Sequence, residues 1–235
     1  LGWLPGGKLP AAAEDLAPLI DHTILLPEVT RPMVERACED AVRYGFATVC
    51  VNPAWTELCA AELRGTRVRT CAMVGFPLGA STPEAKAFEA RDAVRRGAAE
   101  LDMVLNVGRL RNREDADVRD EIRAVVRAVP GTTVKVILET ACLTTDEKVR
   151  ACRAAADAGA QFVKTSTGFG PDGANVRDVA LLRRTVGHAL GVKASGGVRD
   201  YATAMALLRA GASRLGSSSS VKLLSGAREA KTRNE

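Results

Sequence analysis

Aromatic side chains are scarce in this chain of 235 residues, which has two Trp, two Tyr and five Phe. That leaves no evident platform on which bases could stack. The net charge of +5 and the pI near 9 would otherwise invite a polyanion. Basic residues are interleaved with acids in stretches such as Glu35-Arg36 and Arg91-Asp92 rather than gathered into a stripe. No nucleic-acid partner is expected on this pattern. A phosphorylated small molecule suits the charge better. No apolar run approaches the ~18 residues of a membrane span, so no membrane partner is expected either. The six cysteines (Cys38, Cys50, Cys59, Cys71, Cys142, Cys152) form no CxxC and have no histidine-rich company. They read as reduced, mostly buried residues of a cytosolic protein, with zinc improbable and no metal or cofactor expected. Residues 1–13 carry one charge, Lys8, and no continuous apolar block, unlike a secretory signal. Gly2, Pro5, Gly6, Gly7 and Pro10 suggest a loose leader there.

What the chain does have is a rhythm. Arg43-Tyr44-Gly45, Arg95-Arg96-Gly97, Asp157-Ala158-Gly159 and Arg209-Ala210-Gly211 each close an amphipathic helical pattern with a glycine at C′. An apolar strand follows each within a few residues: 48–51, 101–107, 162–165 and 214–216. Further strands are predicted at 68–76, 134–139 and 192–195, and a short first one at 19–23. Helix starts are marked by Thr30-Arg31-Pro32, Ser81-Thr82-Pro83-Glu84 and Thr144-Thr145-Asp146-Glu147; the last two fit the capping-box spacing. Eight β/α units imply a parallel sheet covered by helices. No GxGxxG opens after the first strand, and glycine-rich strand ends are spread over several units. A single-domain α/β fold, a closed (β/α)8 TIM barrel over residues 14–228, therefore fits better than an open doubly wound sheet. Residues 229–235 form a charged tail expected to fray.

The oddity is a lysine in mid-strand, Lys164 in Phe162-Val163-Lys164-Thr165-Ser166-Thr167-Gly168-Phe169-Gly170. One such lysine is ordinarily an edge residue snorkelling to solvent. A second case of the same design, Val192-Lys193-Ala194-Ser195-Gly196-Gly197, argues otherwise. Alternation puts Lys164 with Ser166 on one face and Lys193 with Ser195 on another; it likewise pairs Asp102 with Asn106, and Lys135 with Glu139. Singly, each has a structural reading: Asp102 as an ion-pair partner, Lys135 as a brace for Glu139. Three lysines and two carboxylates on central strands together point to catalysis. An ordinary lysine is neutral about once in 2,500 molecules at pH 7. A neighbouring ammonium and desolvation both favour the neutral form, which attacks carbonyls. Gly168 and Gly170, Gly196-Gly197 and Gly216-Ser217-Ser218-Ser219 follow the last three strands, where barrels recurrently bind phosphate.

These residues resemble the deoxyribose-phosphate aldolase family, class I Schiff-base aldolases of (β/α)8 fold. The resemblance runs from about Leu19 to Leu224. It is carried by Leu19-Ile20-Asp21-His22-Thr23, Val49-Cys50-Val51-Asn52-Pro53 and Val74-Gly75-Phe76-Pro77-Leu78-Gly79, and by the stretches 100–107, 134–140, 162–168, 193–197 and 214–219. It implies reversible cleavage of 2-deoxy-D-ribose 5-phosphate to acetaldehyde and D-glyceraldehyde 3-phosphate, within deoxyribonucleotide catabolism in the cytoplasm. By position, Lys164 matches the Schiff-base lysine, Lys193 the neighbour that lowers its pKa, and Asp102 the aspartate of the proton relay. Asp21, Thr23 and Thr167 fall where members hold waters and substrate hydroxyls. Gly168, Gly196, Gly197, Arg199, Gly216, Ser218 and Ser219 fall on phosphate-binding positions. Cys50 matches a cysteine near the site, although its residue pattern alone reads as core. Leu26 and Phe169 stand where many or some members carry lysine, which removes positive charge from the mouth. Another Schiff-base aldolase or transaldolase, or a barrel that only binds a sugar phosphate, stay open as alternatives. A homodimer is one assembly open to such a barrel, and no interface patch is legible.

Overall fold

A computed structural model describes residues 2–4 and 7–232; Leu1, Pro5 and Gly6 of the leader and residues 233–235 of the tail lie outside the described residues. Among them eight parallel strands close into a barrel in chain order. They are β1 (Ile20–Ile24), β2 (Thr48–Val51), β3 (Arg69–Val74), β4 (Glu100–Val104), β5 (Thr133–Ile137), β6 (Phe162–Lys164), β7 (Gly191–Ser195) and β8 (Arg214–Ser217). Closure is carried by β1, whose Asp21 pairs with Thr48 of β2 on one side and with Gly216 of β8 on the other. Around the sheet run α1 (Ala13–Leu16), α2 (Arg31–Tyr44), α3 (Thr56–Glu62), α4 (Pro83–Arg95), α5 (Val107–Arg111), α6 (Asp115–Ala128), α7 (Thr145–Asp157), α8 (Val176–Val186), α9 (Tyr201–Ala210) and α10 (Ser220–Thr232). No helix among the described residues is long and apolar enough to cross a membrane.

Local chemistry accounts for the helix boundaries. Gly45, Gly97, Gly159 and Gly211 all take positive φ just past helix ends, where a Cβ would be strained. Thr144 and Glu147 form a reciprocal capping box on α7. The Ser81…Glu84 spacing is not used as one: Thr82 is the cap of α4, accepting from the Ala85 N–H, with Pro83 at N1. Strands expected to reach residues 76, 107 and 139 stop earlier. Asn106 turns aside to cap α5, and Glu139 sits in the left-handed region at φ 56°.

The main core lies between sheet and helices, built from inner helix faces (Val34, Ala37, Ala90, Ile122, Val125, Leu182, Leu208) and outward strand residues (Val49, Leu101, Val134, Val163, Val192, Leu215). A smaller apolar group, Leu25, Cys50, Cys71 and Met73 with Phe76 against it, forms a separate cluster. In the leader, Leu4 is buried in the main core and the Trp3 Nε1–H donates to the Leu208 carbonyl.

One buried ion pair fixes a loop at the mouth. The Lys86 ammonium of α4 donates to the Gly79 carbonyl at 2.7 Å and the Val104 carbonyl at 2.8 Å, and meets Glu121 of α6 at 2.8 Å. Burial pushes the lysine down and the glutamate up, and their mutual attraction opposes both shifts. Gly79 itself is at φ 66°, and a Cβ there would lie 2.1 Å from the Leu105 carbonyl oxygen. Backbone meets backbone at that point, so no side-chain rotation relieves it. The Gly79→Ala variant is therefore expected to lose about 2 kcal/mol or more of stability, read as a fall in urea midpoint at unchanged m-value.

Candidate active site

Parallel neighbours in register point the same way, so a row of partners shares one side of the barrel wall. Lys164 of β6 pairs with Lys193 of β7, which pairs with Arg214 of β8. Asp102 of β4 pairs with Lys135 of β5. All of these turn inward, and their charges meet in the lumen. The Asp102 carboxylate is the hub. Its Oδ2 accepts from Lys164 Nζ at 2.8 Å and Lys193 Nζ at 2.7 Å, and its Oδ1 accepts from Lys135 Nζ at 2.8 Å. Lys193 also reaches Asp21 at 2.5 Å, and Lys135 reaches Glu100 at 2.7 Å. Asp21, Asp102, Lys135 and Lys193 are wholly buried, while Lys164 keeps 3% of its surface exposed.

Burial alone would drive these groups neutral, and neighbouring charges reverse that tendency for most of them. For Asp102, burial pushes upward, but the ammoniums of Lys135, Lys164 and Lys193 hold the carboxyl well below its ordinary range. Asp21 is likewise lowered against its burial by Lys193, Arg214 and Lys135. Burial would strip the proton from Lys193, but Asp102 and Asp21 outweigh it and raise the ammonium above its ordinary value; Lys135 is raised in the same way. Lys193 thus brings a positive charge beside Lys164.

Lysine 135 does not brace Glu139 among the described contacts. Its partners are Asp102, Glu100 and, at 3.8 Å, Asp21. Glu139 instead accepts from the Thr167 hydroxyl and backbone N–H at the mouth. The Thr23 hydroxyl donates to the Asp21 carbonyl at 2.9 Å. Gly216 stands inside β8, where a Cβ would come within 3.1 Å of Lys193 Cε and 2.9 Å of Ser195 Cβ; its bare backbone leaves the lysine stem its path. Gly168, Gly196 and Gly197 turn with positive φ at the strand ends. Ser218 is exposed and Ser219 half-buried just before α10, and Arg199 is exposed after β7. Leu26 and Phe169 are exposed, and the Phe169 ring meets Phe76 edge-on at 5.4 Å. The roles of Glu100 and Arg214 in the cluster escaped sequence reasoning. Alternation back from Asp102 would have reached Glu100, but Arg214 opens its strand and resembles any helix-to-strand surface residue.

Cysteines 50 and 71 with Asp102 place one donor atom each within 4.8 Å of one another. Lys135 lies 3.4 Å from the Cys71 sulfur and Lys193 3.6 Å from the Cys50 sulfur. A cation at these donors would meet two ammoniums, so the set is poorly suited to a metal. The hydrogen bond with Cys71 lowers the Cys50 thiol to about 7, with Lys193 acting the same way against burial.

The family described as DeoC/LacD family aldolase matches residues 16–225. The chain belongs to that family. A deoxyribose-phosphate aldolase of Geobacillus sp. (strain WCH70) is 54% identical over 213 residues, covering 90% of this chain and 96% of the relative. That of Streptococcus sanguinis (strain SK36) is 54% identical over 207 residues, 88% and 94% of the two chains. Among solved structures, the deoxyribose phosphate aldolase of Aeropyrum pernix, described as tetrameric, superposes with a TM-score of 0.87 at 33% identity, covering 94% of each chain. The aldolase QR15 gives 0.87 at 36% identity, covering 94% of this chain and 97% of that one.

For a DeoC/LacD barrel the consequence of a shared carboxylate is measurable. Replacing Asp102 by Asn leaves three ammoniums facing one another. The Asp102→Asn variant should lose about 3–5 kcal/mol at neutral pH by urea unfolding. In the parent protein a lowered aspartate binds fewer protons than the unfolded chain. Its stabilisation is therefore complete above the ordinary aspartate range and fades as pH falls from there through the depressed value. The variant should accordingly show a smaller acid-side loss below about pH 4 than the parent, keeping the part contributed by Asp21.

Proposed function

We propose that this chain catalyses the reversible cleavage of 2-deoxy-D-ribose 5-phosphate to D-glyceraldehyde 3-phosphate and acetaldehyde, through a Schiff base on Lys164. The observation that carries the reading is the lysine pair on one carboxylate, Lys164 and Lys193 both within 2.8 Å of Asp102 Oδ2 in the lumen. The neutral Lys164 amine adds to the C1 aldehyde to give a carbinolamine, which loses water to become an iminium. Removal of the C3 hydroxyl proton then breaks the C2–C3 bond. The electron pair moves into the iminium and leaves an enamine, while C3 departs as the aldehyde of glyceraldehyde 3-phosphate. Protonation of the enamine at C2 and addition of water release acetaldehyde and the free lysine. The iminium is the electron sink, so cleavage needs no Lewis acid. Asp102, through water, and Lys193 move the protons.

Asp21, Thr23 and Thr167 are assigned to the waters and substrate hydroxyls around the reacting carbons. Asp21 would do this by holding Lys193, since both its oxygens are engaged by cations. Phosphate is assigned to the backbone turns at Gly168, Gly196 and Gly197, to Gly216, Ser218 and Ser219 ahead of α10, and to Arg199. Anchoring it there sets C1 against Lys164. Residues 14–228 act as the catalytic unit, and the buried reduced thiols suit a cytoplasmic enzyme of deoxyribonucleotide catabolism.

Borohydride reduction in the presence of acetaldehyde should leave an ethyl group on Lys164, located by peptide mass spectrometry. No adduct on the folded protein would withdraw this mechanism in favour of another donor or a sugar-phosphate binder. The Lys164→Ala variant should lose turnover altogether, and Lys193→Leu should slow it and raise the pH optimum. Restoring charge at the rim by Leu26→Lys with Phe169→Lys should lower KM for the phosphorylated substrate about fivefold at low salt, with the gain fading as salt rises.

A further inference from the structure

The reaction scheme leaves Arg214 unused. It is the first residue of β8, at the end of the barrel opposite the mouth. There it lines a cavity of about 430 Å³ with Trp3, Phe162 and His188. Its guanidinium lies 5.7 Å over the Phe162 ring. Nη1 is 2.6 Å from Asp21 Oδ1 and Nη2 is 3.5 Å from Glu100 Oε1. From Asp21 the line continues through Lys193 at 2.5 Å, Asp102 at 2.7 Å and Lys164 at 2.8 Å. Charges alternate without a break from one end of the barrel to the nucleophile.

We propose that Arg214 is a positioning residue for the reaction: it holds Asp21 and Lys193 in place, and its charge favours the neutral amine of Lys164. The inference rests on the Schiff-base reading of that lysine. The ion-paired set contains four cations (Lys135, Lys164, Lys193, Arg214) and three carboxylates (Asp21, Glu100, Asp102), a surplus of one positive charge. Losing one proton balances it. Arginine does not release a proton. Lys193 touches two carboxylates and Lys135 three, whereas Lys164 touches one and alone of the three lysines keeps surface exposed. Lys164 is therefore the least tightly paired cation of the set, the one on which the surplus charge bears most. Without Arg214 the set holds three cations and three carboxylates, and the surplus that bears on Lys164 is gone. The other titratable groups around the lumen are the thiols of Cys50 on β2 and Cys71 on β3, and Glu139 after β5, which is bonded to Thr167 outside the ion-paired set. None of them replaces the lost positive charge.

The test is the pH profile of kcat/KM for deoxyribose 5-phosphate cleavage in the wild type and in the Arg214→Met, Arg214→Lys and Glu100→Gln variants. Lysine side-chain NMR titration without substrate accompanies it. Two strands separate Arg214 from Lys164, roughly 10 Å, so loss of its charge should move the acid limb up by about one pH unit. Activity at pH 7 should drop about tenfold and recover at higher pH. Arg214→Lys keeps the charge and should keep the wild-type limb. Glu100→Gln removes a negative charge and should shift the limb the other way, which keeps the test decisive if Arg214→Met does not fold. A uniform loss at every pH, with the limb unmoved in both charge-changing variants, would overturn the proposal and leave Arg214 a structural anchor. If wild type forms no acetaldehyde adduct, the Schiff-base reading fails separately. The NMR titration still decides whether Arg214 governs the Lys164 proton: a Lys164 titration unmoved by loss of Arg214 overturns the inference.

Discussion

A single carboxylate shared by three ammoniums holds the interior of this barrel together. Asp102 is fully buried, and so are Lys135 and Lys193 that bind it. Each charge alone would cost several kcal/mol to bring out of water. Together they offset one another, because every ammonium meets a carboxylate oxygen within 2.8 Å. The arrangement is stable only as a set, and the set has one cation more than it has carboxylates. A lumen filled with aliphatic side chains would be simpler to fold. A charged lumen with one surplus cation is the setting in which Lys164 is proposed to act.

Barrel geometry makes the set possible. In a closed parallel sheet the inward residues of adjacent strands lie side by side, so Asp102 with Lys135, and Lys164 with Lys193 and Arg214, need no loop to bring them together. Rigid strands place the charged heads, and the loops at their C-terminal ends are left to meet substrate. Gly216 shows how closely the two tasks are interleaved: it lies on the strand leading to the serine loop, yet its missing side chain makes room for the Lys193 stem.

The same device of a buried ion pair recurs outside the lumen. Lys86 and Glu121 tie α4 to α6, and the lysine also binds the Gly79 and Val104 carbonyls. The loop that carries Phe76 is thereby fixed to the scaffold. Phe76 meets Phe169 across the rim, so an apolar edge stands at the mouth beside a strongly charged interior.

The order of strands and helices was determined by the sequence itself, because helix ends are local events. Glycines past the last turn and the capping box at Thr144 and Glu147 act within a few residues, and seven expected strands overlap the observed ones with the short first strand shifted by one. The lysine pair was legible for a similar reason: charge in an apolar strand contradicts its surroundings whatever the fold. Three things were decided only in three dimensions. Lys135 turned to Asp102 and Glu100 rather than Glu139, because the backbone at Glu139 leaves the strand. Lys86 is buried because the β3–α4 loop and α6 enclose it, contacts that no local pattern on its helix marks. Arg214 joined the cluster because closure of β8 against β1 brings it to Asp21, 193 positions earlier in the chain. Alternation along one strand gives the face a side chain takes; which charge it meets there depends on strands far away in sequence.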